Sequence, residues 1–401
     1  MKLTGQQESA LNKLQNWWEG PDQIFMLCGY AGTGKTTVMK QALSMLNNCS
    51  PLLTAPTGKA AKVLATKSEM TATTVHKALY KPANAVKTGL RKRLTACWAT
   101  LKSGDYISAG VPEEELWGEI AGIEKELEKL KDEEVGFVLS GKQEENNLLL
   151  VDECSMVKES MAREIEMISH KILLVGDPFQ LPPVKAKWGW EDRKPDVMLT
   201  EVVRQSGDGA GITLAAEAIR MGRKPKPGMG FEMYPRGILT FQDYMEYDVV
   251  LVGSNNTKKT LDQGIRKRKR LEPGMPIVGE KVMCLNNNSE YHVFNGEVFT
   301  ITSIVDLDRR HNIIVLNLVD ELNNEYLELP CDTRLFLDHQ DTHKVPEDVL
   351  QFCFTYASTV HKYQGSEASN VCLIDVWTRG DHARWLYTGI TRAVYRCALV
   401  S

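Results

Sequence analysis

The chain has 401 residues, enough for two to four domains with real cores, and its 43% hydrophobic and 25% charged residues are those of a globular protein. No apolar run approaches the ~20 residues that span a bilayer, and the amphipathic start carries no signal peptide, so a cytoplasmic protein without a membrane partner is expected. A net charge of −4 supplies no global field for nucleic acid, and nine scattered cysteines without a Cys-x-x-Cys pair point to reduced thiols rather than a metal centre.

In chain order, continuous apolar runs predict strands over 24–28, 51–54, 148–151, 172–175, 249–252, 371–376 and 397–400. Runs that are apolar throughout, rather than alternating, belong to parallel sheets covered on both faces. Their early and late clustering predicts two α/β cores.

Two stretches break this rhythm. Residues 81–145 are charged, and within them Leu116, Ile120, Ile123, Leu127 and Leu130 recur at helical spacing behind Pro112, which predicts an amphipathic helix with one packed face. Residues 264–345 are β-branched with Asn/Gly turns, and Asn295-Gly296 is a strong hairpin signal, so a small antiparallel barrel is predicted there. The domains expected are therefore 1–80 with 146–205, an insertion at 81–145, a second core at 206–263 with 346–401, and the barrel insertion at 264–345.

The strongest chemical signal is Gly29-Tyr30-Ala31-Gly32-Thr33-Gly34-Lys35-Thr36, followed by Thr37, between a predicted strand and helix. This is the P-loop pattern: glycines let backbone N–H groups wrap phosphates at a helix N-terminus. Lys35 then reaches the β- and γ-phosphates of ATP, and Thr36 ligates Mg²⁺. A buried strand ending in Asp152-Glu153 puts one carboxylate on the Mg²⁺ side and a second where it orients or deprotonates water. The segment Gly176-Asp177-Pro178-Phe179-Gln180 places a neutral amide beside the third phosphate. Arg204 and Arg392 are candidates to stabilise charge on the transferring group, and Arg392 lies in the second core. If it touches ATP, the nucleotide sits between the cores.

In this order the pieces resemble superfamily 1 helicases, in particular the RecD/Dda-like branch, superfamily 1B, over nearly the whole chain. Leu3 to Gln7 is similar to the Q motif, which implies that Gln7 contacts adenine. Residues 54–61 and 73–76 resemble motifs Ia and Ib, and 152–156 and 176–183 motifs II and III. Arg204-Gln205, 357–367 and 387–393 resemble motifs IV, V and VI. The resemblance implies two RecA-like cores with a mostly helical insertion in the first and an SH3-like barrel in the second. It also implies Gly365 and Glu367 at the nucleotide.

Single-stranded DNA is implied across the top, on Pro56, Thr57, Thr74, His76, Asn256, Thr359 and His361, with movement 5′ to 3′ and a forked duplex as substrate. A monomer is expected, with a replication or single-strand-binding protein as a conceivable partner. A compact helicase of this kind suits a phage or a small bacterial accessory enzyme.

Four points stay open at this stage. Trp98 and Tyr106 are candidate wedge aromatics or packing residues. Trp188-Gly189-Trp190 is a stacking platform for bases or a packed surface. Of the two basic runs, 87–93 and 266–270, the second grips phosphates or a partner, or forms a solvated helix face. Gly58 has no side chain to stack on a base, so that contact is absent or supplied elsewhere. The alternative activity is a DNA-dependent translocase that displaces proteins without unwinding.

Overall fold

A computed structural model of the chain describes residues 3–108, 111–129, 137–139, 146–203, 209–288, 290–320, 323–337, 345–346, 348–376 and 380–401. Arg204 and Leu130 lie outside the described residues.

The first core runs through α1 (Gly5–Glu19), β1 (Ile24–Gly29), α2 (Lys35–Met45), β2 (Pro51–Ala55), α3 (Gly58–Ser68), β3 (Ala72–Thr74) and α4 (Val75–Leu79). Helix α1 opens on a capping box, in which Thr4 and Gln7 each accept the other's backbone N–H through their side chains. A short ribbon of β4 (Tyr80–Pro82) and β5 (Phe137–Leu139) then brackets α5 (Ala83–Ser103), α6 (Asp105–Ser108) and α7 (Glu113–Lys129). Strand β6 (Leu148–Val151), helix α8 (Glu159–Ile168) and strands β7 (Lys171–Gly176) and β8 (Val197–Leu199) complete the core.

Its sheet has the order β3-β2-β6-β7-β1-β8, parallel throughout. All four residues of β6 are buried, as a central strand covered on both faces requires. One face packs α1, α2 and α3 through Leu14, Met39 and Leu64, and the other packs α8 through Ile165. The expected amphipathic helix is α7, whose Leu116, Ile120 and Ile123 close on Leu90 and Cys97 of α5.

The expectation of a stacking platform at Trp188 is corrected here. Trp188 and Trp190 are 8% and 4% exposed and sit in the core beneath α8. Gly189 makes that approach possible, since a Cβ there would lie 2.3 Å from the Ala162 Cβ. Trp190 donates its indole N–H to Glu166 at 2.7 Å. Neither ring can stack on a base from inside the core.

The second core holds α9 (Ala210–Arg220), β9 (Phe231–Tyr234), α10 (Phe241–Tyr244), β10 (Val249–Val252) and α11 (Asn255–Arg268). A second sheet follows: β11 (Lys281–Cys284), β12 (Val298–Asp308), β13 (Ile313–Asp320), β14 (Glu325–Asp332), then α12 (Arg334–Leu337) and β15 (Phe352–Phe354). The core resumes with β16 (Ala357–Thr359), β17 (Ala368–Ile374), α13 (His382–Ile390) and β18 (Ala393–Val400). The core sheet, β16-β10-β17-β18-β9, is again wholly parallel. Together the two parallel sheets form two RecA-like α/β cores.

The intervening sheet, β14-β13-β12-β11-β15, is antiparallel, and a bridge from Cys331 to Leu350 brings its two edges together. It departs from expectation in three ways. Strand β15 lies inside the range assigned to the second core, yet pairs with β11. Asn295-Gly296 does turn the chain, with Gly296 at φ 88°, but the β11–β12 connection spans 285–297 and is not a two-residue hairpin. Arg266, read as part of an exposed basic run, is buried. It pairs with Glu280 and lies over the Phe354 ring at 3.7 Å, while Lys267 to Arg270 stay exposed.

Candidate nucleotide cleft and nucleic-acid face

The P-loop leaves the C-terminal end of β1 and enters α2 at Gly34, which is left-handed at φ 79° and offers no side-chain cap. The first N–H groups of α2 therefore keep their donor capacity, and the helix end favours negative charge. Gly32 is also left-handed, at φ 77°. Lys35 donates to the Gly29 and Tyr30 carbonyls at 2.7 and 3.0 Å, which holds its ammonium along the loop. Thr33 is buried, and both its hydroxyl and its N–H donate to the Tyr30 carbonyl, at 2.9 and 3.4 Å. Gln7 is buried as well and donates through Nε2 to the Thr33 carbonyl at 3.1 Å. In this arrangement its amide braces the loop.

Asp152 and Glu153 follow β6 beside the loop. Burial raises both carboxyl pKa values above the ordinary range. Asp152 further raises that of Glu153, while Lys35 acts on both in the opposite sense and Arg392 on Glu153. Both remain partly accessible from the cleft, as does Thr36. Two such carboxylates next to a hydroxyl form an oxygen donor set that suits a hard divalent cation.

The opposite wall belongs to the second core. Arg392 is buried and fixed within its own core, donating to the Thr388 and Ser366 carbonyls at 3.0 and 3.2 Å. Gly365, at φ 78°, rides on α3, where its Cβ position would lie 3.0 Å from the Ala60 Cβ. Glu367 reaches Lys67 of α3 at 3.5 Å. Gln180 is buried and accepts from Gln364 at 3.4 Å. Between the walls lies a cleft of about 380 Å³ lined from the first core by Gln7, Gly32, Gly34, Lys35, Thr36, Thr37, Asp152, Glu153 and Gln180. Gly365, Glu367 and Arg392 line it from the second.

The expected nucleic-acid residues gather at other strand ends. Pro56 and Thr57 follow β2, Thr74 closes β3, and His76 lies two residues beyond. Asn256 sits in the first turn of α11 after β10, and Thr359 and His361 end β16 or follow it. Thr57 and Thr74 cap α3 and α4, accepting from Ala60 and Lys77 at 3.1 Å each. Thr359 is buried, and its hydroxyl accepts from the Lys362 N–H. His76 and Asn256 are exposed, and the His76 ring lies 4.6 Å from that of Tyr80. His361 is half-buried, which lowers its imidazole pKa below the ordinary value.

Sequence reasoning missed several residues here. Ala60, Val63, Leu64 and Lys67 line the cleft from α3, at a helical spacing readable once the motif Ia helix is drawn. Phe294 packs directly on Gly58, its Cβ only 2.5 Å from where a Cβ at Gly58 would lie. No local signal connects residues so far apart in sequence. In the helical insertion, Trp98 meets Trp117 edge-on at 5.4 Å with both partly exposed, whereas Tyr106 packs inward and donates to Glu113.

Comparison with known proteins gives a consistent picture. The family model described as an AAA domain matches residues 2–237, and that of the UvrD-like helicase C-terminal domain matches 354–400. The ATP-dependent RecD2 DNA helicase of Deinococcus radiodurans is 25% identical over a 410-residue alignment covering 98% of this chain and 48% of that protein. An uncharacterized protein, R530, of Acanthamoeba polyphaga mimivirus is 29% identical over 208 residues, 45% of this chain and 33% of its own length. The chain thus spans about half or less of the curated relatives it matches.

Among solved structures, a Pif1 helicase from Candida albicans superposes with TM-score 0.54 at 17% identity, covering all of this chain and 94% of that one. A Bacteroides Pif1 helicase in complex with ADP-AlF3 and ssDNA gives TM-score 0.55 at 16% identity, covering 100% and 93%. At these identities the likeness is one of fold.

Proposed function

The chain belongs to the AAA-domain family and has the superfamily 1B helicase fold, and from that premise we propose that it is an ATP-driven DNA helicase moving 5′ to 3′ on single-stranded DNA. One observation carries the reading: a single cleft is lined by Lys35, Asp152 and Glu153 of one core and by Gly365, Glu367 and Arg392 of the other. A nucleotide bridging that cleft draws the cores together, and its hydrolysis releases them.

Each residue then has a task. The P-loop N–H groups and Lys35 hold the β- and γ-phosphates, and Glu153 orients or deprotonates the attacking water. Gln180 faces the third phosphate, and Arg392 neutralises the charge that develops on it. Asp152 and Thr36 would hold Mg²⁺, which supplies charge neutralisation on the phosphates. Arg204 is assigned to the same group by motif alone.

Pro56, Thr57, Thr74, His76, Asn256, Thr359 and His361 are assigned to the DNA strand, through hydroxyls, ring nitrogens and backbone N–H groups that suit phosphates of any sequence. The antiparallel sheet takes the place of the SH3-like insertion of the family. Likeness to Pif1 described at forked DNA supports a fork as substrate. The protein is assigned to the cytoplasm as a monomer.

Strand displacement on a forked duplex tests the proposal. Unwinding with a 5′ tail and ATP, and none with a 3′ tail alone, is expected. ATP turnover stimulated by single strands without displacement on any fork would instead make the protein a translocase.

A further inference from the structure

A single phenol joins the two cores at the cleft. Tyr387 lies on α13 of the second core, five residues before Arg392, and is 2% exposed. Its hydroxyl donates to the Asp177 carboxylate at 2.6 Å, in the loop that carries Gln180. The same oxygen accepts the N–H of Ala31, in the P-loop, at 3.0 Å. Asp177 is fully buried, and its second oxygen takes the Phe179 N–H at 2.9 Å. The Phe179 ring meets that of Tyr387 edge-on at 5.1 Å.

The surroundings repeat the connection. Leu181, from the first core, is buried in the hydrophobic cluster of the second. Its N–H donates to the Thr388 hydroxyl at 3.0 Å, and its carbonyl accepts from Gln364 at 3.0 Å. Gln364 sits in the loop that begins with Thr359 and His361. The loop after β7 is therefore held from one side by the helix leading to Arg392 and from the other by the loop leading to the candidate DNA contacts.

We propose that Tyr387 is a positioning residue for hydrolysis, whose hydroxyl sets the P-loop, the Gln180 loop and Arg392 in register when the cores close. It touches neither nucleotide nor metal in this role; it acts through Ala31 and Asp177. A buried carboxylate and a part-buried N–H that share one hydroxyl need that hydroxyl at a single position, because leaving a buried polar group unmet is costly. That requirement selects one relative placement of the cores. DNA lying across both cores favours the same placement, so the bridge converts DNA binding into faster hydrolysis. The inference rests on the reading of the cleft as the ATP site.

The test is steady-state ATP turnover by the full chain, with and without an oligo-dT strand, for the wild type, Tyr387→Phe, Asp177→Asn and the double variant. Phenylalanine keeps the ring against Phe179 and removes both hydrogen bonds. The expected result is a fall of at least tenfold in the ratio of stimulated to unstimulated kcat, with KM for ATP within about twofold of wild type, as a positioning effect felt in the transition state but not in ATP binding requires.

Asp177→Asn leaves one acceptor oxygen where the Tyr387 hydroxyl and the Phe179 N–H each have their own, so it weakens the same bridge from the other side and reads the effect even if Tyr387→Phe folds poorly. The double variant should be no worse than the poorer single, because the two groups act as one unit. A wild-type stimulation ratio in Tyr387→Phe, or fully additive losses, overturns the bridge while leaving the ATP site intact. No stimulation in the wild type would overturn the motor reading as well.

Discussion

The two cores are built from the same kind of parallel sheet but present their candidate residues differently. In the first, both sets sit at the C-terminal ends of strands and are separated sideways. Nucleotide candidates follow β1, β6 and β7, while nucleic-acid candidates follow β2 and β3 at the sheet edge. In the second, the sets lie at opposite ends of the strands. Thr359 ends β16, whereas Gly365, Glu367 and Arg392 precede β17 and β18. With seven residues in β17, those ends are roughly 20 Å apart at ~3.3 Å per residue. On the proposed assignments the first core is a platform for both ligands, and the second a lever with one at each end. A rigid lever transmits a small displacement at the nucleotide to the strand, and only the second core has that geometry.

The sharpest way to break this contrast is Arg392→Ala. It should lower ATP kcat on the order of 10³-fold or more, since a charge that acts on the γ-phosphate from the other core has no substitute. Single-strand affinity should hold, as a binding titration would register. Lys35→Ala on the platform should cost on the order of 10²–10³ in turnover.

Leu181→Ala probes the seam itself. The side chain is 5% exposed within the second core's cluster, so its loss should destabilise the chain by about 2–4 kcal/mol in denaturant unfolding. An unchanged midpoint would mean that the cores are not joined there.

The smallest expected effect concerns His361. Burial lowers the pKa of its imidazole, so the ring is neutral at pH 7, and a phosphate brought against it favours the protonated form. Binding then takes up a proton, and single-strand affinity should rise as pH falls from about 7.5 to 6, with a slope of at most about one proton. His361→Gln should flatten that slope.

What could be read in advance follows from the range of the physics involved. Strands such as β6 and β10 are central and wholly apolar, and local composition is enough to find them. Edge strands β8 and β9, with partly exposed residues, carry no such signal and emerge only from pairing with β1 and β18. The P-loop was legible because its chemistry needs glycines and a lysine at fixed local spacing.

The sequence leaves Trp188 open between a stacking and a packing role, because an aromatic near a motif looks alike whether it faces a base or α8. Burial of both rings and the close approach of Gly189 to Ala162 tell them apart. The Phe294–Gly58 contact and the Tyr387 bridge join residues more than 200 positions apart, which no local pattern encodes.

The central claim, that one nucleotide cleft between the cores drives directional movement, is tested most directly by single-turnover translocation on oligo-dT strands of increasing length labelled at either end. An ATP-dependent arrival signal at the 3′ label, with a delay that grows with strand length, is expected. Arrival at the 5′ label, or hydrolysis without any length-dependent delay, would contradict that claim.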